Sequence, residues 1–435
     1  LTYLRCGSDP GRLKSHRIFK EFTMESVYVI GVGMTSFGRH LDKSIKDLTR
    51  LAVDGALQDA GVKAGDLQAA FFANCVQGHM EGQHMLRGQI ALRAMGIGGI
   101  PVTNIENACT AGSTAFYHAV NQIKSGESDV ALAIGAEKMF SADKERMFSA
   151  FTSGWDITQV EENKKRLLVL GQGMEVPPGT TSPRPYSIFM DVYAAKARYH
   201  MMRYGTTQRQ IAAISAKNHA HSQHNPLAQY RNPYTIEQVL EGAPITYPFT
   251  APMCSPVSDG AAAAIVCSEA GLRRLGVDRS RAIRVLASVL RTGVDREASD
   301  NQKAPTLTGG RIAYEKAGLG PQDVSVAELH DATAMGELNH IENLGFCAFG
   351  EGGIASERGE TSLGGRIPVN TSGGLESRGH PVGATGLAQI YELVAQLRGE
   401  AGARQVENAR VALAQTSGGT LGFDEAVACV SILGR

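Results

Sequence analysis

The sequence carries no excess charge of either sign. Its 43 lysines and arginines are matched by 43 aspartates and glutamates, so nothing in the balance argues for a polyanion-binding surface, and no nucleic-acid partner is expected. Paired cysteines are missing too. The seven present (Cys6, Cys75, Cys109, Cys254, Cys267, Cys347 and Cys429) are odd in number, scattered, and never arranged as CxxC. That argues against a disulfide framework and against a zinc ribbon. No apolar run approaches the length that spans a bilayer. Gly31-Val-Gly33 follows a strand-like run but lacks the third glycine of a dinucleotide fingerprint, so a Rossmann oxidoreductase is not expected. These absences leave a protein of a reducing cytoplasm as the expectation, with no metal, no permanently bound cofactor and no membrane span.

Glycine, in contrast, is abundant: fifty glycines punctuate alternating helical and short β-like runs, which indicates α/β layering. A length of 435 residues suggests two to four domains. Residues 1–23 are basic, rich in turn formers and without period, and are expected to form an upstream extension outside the fold, or else a transit peptide. An internal duplication follows. Residues 51–74 read as helix, Ala-Gly stop, Asp and strand, and residues 309–331 repeat that order. Cys109 opens a helix that ends before VALAIGAE (130–137), and His380 opens one that ends before VALAQTSG (411–418). Two copies of one unit would place Cys109 and His380 at equivalent helix starts facing one cleft. Between the copies, an amphipathic run from Ile188 to Met202 and a capping-box pair, Thr207 and Gln210, read as an inserted helical lid. The expected division is 24–138 plus 251–278 for the N-terminal half, 139–250 for the lid and 279–435 for the C-terminal half.

Cys109 lies where the strand-like run 98–106 gives way to NACTAGSTA (107–115). A thiol at a helix N-terminus faces free N–H groups and partial positive charge, both of which favour thiolate, and small neighbours leave room for a substrate. NTSGGLESRGHPVGATG (370–386) makes a tightly specified glycine-rich loop, in which His380 is either a base held at the cleft or a histidine that stabilises the turn. ELHDATAMGEL (328–338) sets His330 at a strand's C-terminal edge, where α/β sites gather. There it either donates to a carbonyl oxygen or belongs to a helix-capping His-Asp pair. The glycines of Gln415–Gly422 are expected at a strand end, aiming N–H groups at an oxyanion. His219, His221 and His224 share no helical face and are set aside as metal ligands. Cys75, Cys254, Cys267, Cys347 and Cys429 read as small buried hydrophobes.

Together, NACTAGSTA around Cys109, CSPVSDGAAAAIV (254–266), HDA (330–332), LGFCAFGEGG (344–353) and NTSGGLESRGHPVGATG resemble the thiolase superfamily, from about Met24 to the C-terminus. The segment NPLAQYRNPYT (225–235) and the His-Asp motif most resemble its sterol-carrier-protein-type and archaeal-type branch. The resemblance implies a duplicated five-layered αβαβα fold with an inserted helical lid, a homodimer or tetramer, and a place in fatty-acid degradation. It also implies roles. Cys109 would be acylated by a 3-oxoacyl-CoA, and His380 would deprotonate it and later the incoming coenzyme A thiol. His330 would stabilise the enolate oxygen of acetyl-CoA, and N–H groups of Cys109 and near Gly418 would hold the tetrahedral oxyanion. Ser255 matches a serine that meets the CoA pantetheine.

The chain departs from the family at one point. A second reactive cysteine is expected either near the C-terminus, where the chain reads Gln-Thr-Ser-Gly-Gly (415–419), or after the His-Asp pair, where it has Ala332. Cys347 is common in the branch and does not replace it, so the acid is left to a histidine or a water. Three readings follow: thiolysis of a 3-oxoacyl-CoA or its reverse; an aldolase or lyase of the same fold acting on a 3-hydroxyacyl-CoA; and a subunit that works with a small zinc-ribbon/OB-fold protein partner.

Overall fold

The computed structural model describes residues 25–435, so the expected upstream extension and Cys6 lie outside the described residues. Nine strands form one mixed sheet: β1 (Val27–Met34), β2 (Ala69–Ala73), β3 (Val102–Ile105), β4 (Val130–Glu137), β5 (Gly260–Ser268), β6 (Ile283–Thr292), β7 (Val326–Glu328), β8 (Val411–Leu421) and β9 (Asp424–Gly434). Their order is β3-β2-β4-β5-β1-β6-β9-β8-β7. The main helices are α1 (Ile45–Ala60), α2 (Ala111–Lys124), α3 (Ile188–Tyr204), α4 (Gln208–Ser222), α5 (Pro305–Ala317), α6 (Ala334–Asn343) and α7 (Thr385–Arg398).

The order reads the same from the centre outward in both directions, and this is the duplication in space. In one half β1 is followed outward by β5, β4, β2 and β3; in the other β6 is followed by β9, β8 and β7. Val369 then pairs in parallel with Ala327 of β7 where β3 would stand. The halves meet through two register pairs, Tyr28 with Arg284 and Val29 with Ile283. The repeated grammar has a repeated geometry. Helices α1 and α5 both stop at a glycine in the left-handed region, Gly61 (φ 67°) and Gly318 (φ 68°), before a short 3₁₀ turn and a strand. Only a residue without Cβ takes that φ freely.

The layering follows from which strand faces are apolar. One core joins α2 and α7 to inward residues of both halves, among them Val29, Ala131, Ala264, Val285 and Ala412. Strands of the first half bury their other face under α1, through Leu48, Ala52, Val53 and Ala56, and those of the second bury theirs near α5. The paired helices α2 and α7 thus lie between the two halves of the sheet, and helix, half-sheet, paired helices, half-sheet, helix make five layers. The segment between β4 and β5 is largely helical. Its α3 extends the expected amphipathic run, and Thr207 with Gln210 caps α4 as a full capping box. No helix among the described residues is long and apolar enough to cross a membrane.

Candidate active site

Cys109 lies in a 3₁₀ turn, Ala108–Thr110, that leads directly into α2. The turn is tight enough to put Ala108 at φ 47°, an uncommon conformation for a residue with a Cβ. Strand β8 presses against it. A Cβ added to Gly418 would lie 2.8 Å from the Asn107 carbonyl oxygen and 2.9 Å from the amide nitrogens of Cys109 and Thr110, so only glycine lets the strand come this close. The glycines expected to face an oxyanion thus lie inside a long hairpin strand, whereas the sequence suggested a strand end. What they deliver is close approach to the Cys109 turn.

His380 is not at a helix start either. It follows a short helix, Gly374–Arg378, and precedes α7 by five residues, because the C-terminal half has an extra helical turn where the N-terminal half runs straight from Cys109 into α2. Two contacts fix it. Its backbone N–H donates to Ser258 Oγ (2.9 Å), and its Nδ1 lies 2.7 Å from Thr385 Oγ1. The Thr385 hydroxyl donates to the Pro381 carbonyl (3.0 Å), so toward His380 it is an acceptor and Nδ1 carries the proton. That leaves Nε2 with a free lone pair, the tautomer a general base requires. Burial, then the neighbouring His330 and Arg378, hold the imidazole well below its ordinary range, so it is neutral.

His330 comes from the loop after β7, with its backbone N–H donating to Gln415 Oε1 (3.1 Å). Gln415 stands at one of the two positions where the family would carry a second cysteine. It is fully buried and also donates to Thr306 Oγ1 (3.0 Å). Its side chain is committed to positioning. Burial, reinforced by His340, pushes the His330 imidazole down to about 3, so it is a neutral donor or acceptor. Asp331 turns the other way and accepts from the Leu375 and Glu376 amides (2.7 and 3.3 Å). The His-Asp pair is therefore divided between the cavity and the segment ahead of His380.

A donor atom from each of Cys109, His330 and His380 lies within 4.8 Å of the others, and the two rings meet edge to face at 5.2 Å. They line a cavity of about 520 Å³ together with Ser255, Gly418 and Ala332. A thiol and two imidazoles could also hold a soft divalent ion. With Nδ1 of His380 used by Thr385, the set equally suits a nucleophile, a base and a neutral hydrogen-bonding group.

Two expectations are corrected here. Cys109 does not sit in a thiolate-favouring field: burial first, then Glu137 and Glu106, push its thiol up to about 12, against a lowering by its own backbone N–H. The desolvation of a half-buried site outweighs the helix end. Nor are all the remaining cysteines inert core residues. Cys267 and Cys429 are buried, but Cys75 and Cys254 line the cavity, and the Cys75 thiol donates to the Ala108 carbonyl (3.1 Å). His219 and His221 are tied into the core. His219 bonds Ser377 Oγ and the Pro252 carbonyl, while His221 donates to the Asn370 carbonyl and accepts from the Leu363 amide.

Thr385, Ser258, Tyr193, Lys196, His340 and Glu425 escape the sequence reading. Thr385 and Ser258 lie inside motifs that stand out in the sequence, but their partners are set by long-range packing. The other four line the cavity from α3, α6 and β9, and no local pattern announces that.

The comparisons with known proteins agree with this architecture. The family described as "Thiolase, N-terminal domain" matches residues 27–239 and "Thiolase C-terminal domain-like" matches residues 291–435. An acetyl-CoA acetyltransferase of Methanothermobacter thermautotrophicus is 38% identical over 92% of this chain and 98% of its own length. Human sterol carrier protein 2 is 38% identical over 91% of the chain and 70% of its own. Among solved structures, an Ltp2-ChsH2(DUF35) aldolase superposes with a TM-score of 0.72 at 20% identity, covering 94% of this chain and 98% of that one. That last likeness is one of fold. Identity sustained across nine-tenths of the chain goes further, and with it the chain belongs to the thiolase superfamily as an acyltransferase of that family.

Proposed function

We propose that the protein cleaves a 3-oxoacyl-CoA with coenzyme A, or runs the reverse condensation, through an acyl group on Cys109. The observation that carries this is the convergence of Cys109, His330 and His380 within 4.8 Å. His380 Nε2 takes the Cys109 proton as Sγ attacks C3 of the substrate. A neutral thiol beside a neutral imidazole makes this transfer concerted with attack and dependent on bound substrate. N–H groups at Cys109 and near Gly418 receive the oxyanion, and His330 the enolate oxygen of the departing acetyl-CoA. Coenzyme A is a co-substrate in this reading. Ser255, on the cavity wall with its own N–H donating to the Ala332 carbonyl (3.0 Å), meets its pantetheine arm.

The test is incubation with a panel of acyl-CoAs, followed by mass spectrometry of the Cys109 peptide. A covalent acyl group on that peptide and CoA-dependent cleavage are expected. Absence of both, across the panel, sinks the proposal. The missing second cysteine keeps an aldolase reading in play, and Cys109→Ser separates the two: aldol cleavage of a 3-hydroxyacyl-CoA survives the change, whereas thiolysis collapses. The chain is further proposed to work as a homodimer or tetramer in the cytoplasm. A zinc-ribbon/OB-fold protein would be a partner only if the isolated chain fails to turn over.

A further inference from the structure

When the C2–C3 bond of the substrate breaks, its electron pair is left on C2 of acetyl-CoA, and that carbon must receive a proton. Ala332 and Gln415 supply none. Of the other cavity thiols, Cys75 donates to the Ala108 carbonyl, and Cys254 packs one side against the core formed by α3, α4 and α6, so Cys254 is the rival that the experiment below must exclude.

Two carboxyl groups also line the cavity; Glu106 is exposed and accepts from the Ala108 amide (2.7 Å), which leaves Glu425. Glu425, at the start of β9, lines the cavity with its side chain 22% exposed. Its register partner on β8 is Thr420, two residues past Gly418, which is pressed against the Cys109 turn. Its Oε2 accepts from Thr306 Oγ1 at 3.1 Å, which anchors the group. Its Oε1 lies 3.7 Å from His340 Nε2, beyond hydrogen-bond reach. His340 is itself 2% exposed, its Nδ1 is buried without a partner, and its Nε2 is 3.4 Å from Ser417 Oγ. Lys196 of α3 lines the same wall. The Ser417 hydroxyl also neighbours this carboxyl, so Glu425 is anchored by Thr306 and flanked by a hydroxyl and a neutral imidazole on the cavity wall, a setting that can hold and release a proton.

We propose that Glu425 is the acid of this site, giving its proton to C2 of the departing acetyl-CoA and recovering one from the incoming CoA thiol, with Thr306 as its positioning partner and His340 as a neutral neighbour. This rests on the thiolase reading above. The protons balance. Glu425 leaves the first half-reaction as carboxylate and is reprotonated as the CoA sulfur attacks the acyl group; His380 returns its own proton to Cys109 as the Sγ–acyl bond breaks. Burial raises the Glu425 carboxyl above its ordinary range despite Lys196 and Arg296, which suits a group that must be protonated at the start.

The experiment is exchange of the acetyl-CoA methyl hydrogens in deuterated water, read by mass spectrometry alongside acylation of Cys109. Glu425→Gln is expected to lose about 100-fold in exchange while Cys109 is still acylated, and Glu425→Asp to recover part of it. His340→Gln is expected to move the pH profile of exchange. Exchange at the wild-type rate in Glu425→Gln overturns the proposal, and loss of exchange in Cys254→Ser with Glu425 intact would assign the acid elsewhere. If Glu425→Gln does not fold, Thr306→Val is read instead: it keeps the carboxyl and frees its anchored oxygen, so an unchanged exchange rate and pH profile there overturns the proposal as well. Failure of wild-type Cys109 to acylate at all would instead remove the thiolase reading on which this one stands.

Discussion

At Cys109 two local effects oppose each other, and their magnitudes decide the chemistry. A helix end favours the anion by about 1 kcal/mol, while burial lifts the thiol to about 12 from an ordinary value of 9.0, several kcal/mol in the other direction. Burial therefore favours the protonated thiol in the free protein. Alkylation of the free enzyme by iodoacetamide should be slow at pH 7 and keep rising beyond pH 9. A plateau near pH 6 to 7 would show a preformed thiolate. The second residue-scale dependence is Thr385, whose hydroxyl sets the His380 tautomer. Thr385→Val should lower the rate of Cys109 acylation by roughly 10- to 100-fold with little change in KM, since no substrate contact is removed. An equal fall in affinity would argue against a positioning role. Gly418→Ala should be worse, because the new methyl has backbone on three sides; a loss of about 1–3 kcal/mol in stability is expected together with loss of acylation, both measurable on one preparation.

Between elements, Glu137 at the end of β4 ties the loop after β2 to the segment that follows His380. Its carboxyl oxygens accept from the Cys75 and Val76 amides (2.9 and 3.0 Å) and from the Gly383 amide (3.1 Å), three residues after His380. Burial raises this carboxyl to about 7 from 4.5, partly offset by those same N–H groups. The folded form thus keeps its proton where the unfolded chain has lost it. Its contribution to stability is fully present below pH 4.5 and is lost as pH rises through 7. Urea unfolding at pH 5 and pH 8 should show a decline in the wild type that is smaller in Glu137→Gln, the remainder coming from other buried carboxyls such as Glu425. That variant should also be less stable at pH 5, because an amide nitrogen would face backbone donors. How much was legible in the sequence follows from the same contrast. Cys109, His330, His380, Gly418 and Ser255 carry local signals, a motif or a strand end, and the structure gathers all five around one cavity. Glu137 and Thr385 act through partners hundreds of residues away or through a hydroxyl's choice of acceptor, and neither role can be read locally, even though Thr385 lies inside a conspicuous motif. The duplicated grammar was readable because Gly61 and Gly318 stop their helices in the same way. The extra helix before His380 was not, because a glycine-rich segment reads as loop until packing closes it.

For the whole molecule, the question is whether two copies of one unit behave as one. Two register pairs join β1 to β6, and a charged cluster spans the seam. Asp59 of α1 accepts from Arg281 ahead of β6 (2.9 Å) and from Arg398 at the end of α7 (2.7 Å). Arg398 also donates to the Ile30 and Arg281 carbonyls (3.0 and 2.8 Å). Its side chain is 2% exposed, whereas that of Asp59 is 22% exposed. Removing Asp59 would leave a buried guanidinium with two carbonyls and no counter-charge. The penalty for a fully buried pair is about 3–5 kcal/mol, and the partial exposure of Asp59 brings the expectation to about 2 kcal/mol. The single tryptophan, Trp155, packs with Leu167 and Val192 in the segment between β4 and β5, so its fluorescence reports on a region remote from the seam. In Asp59→Ala, fluorescence and far-ultraviolet circular dichroism should shift to lower urea together, because the core around α2 and α7 belongs to both halves at once. A dichroism curve split into two steps, with the fluorescence transition unmoved, would mean that the halves unfold independently and that the shared helical layer does not couple them.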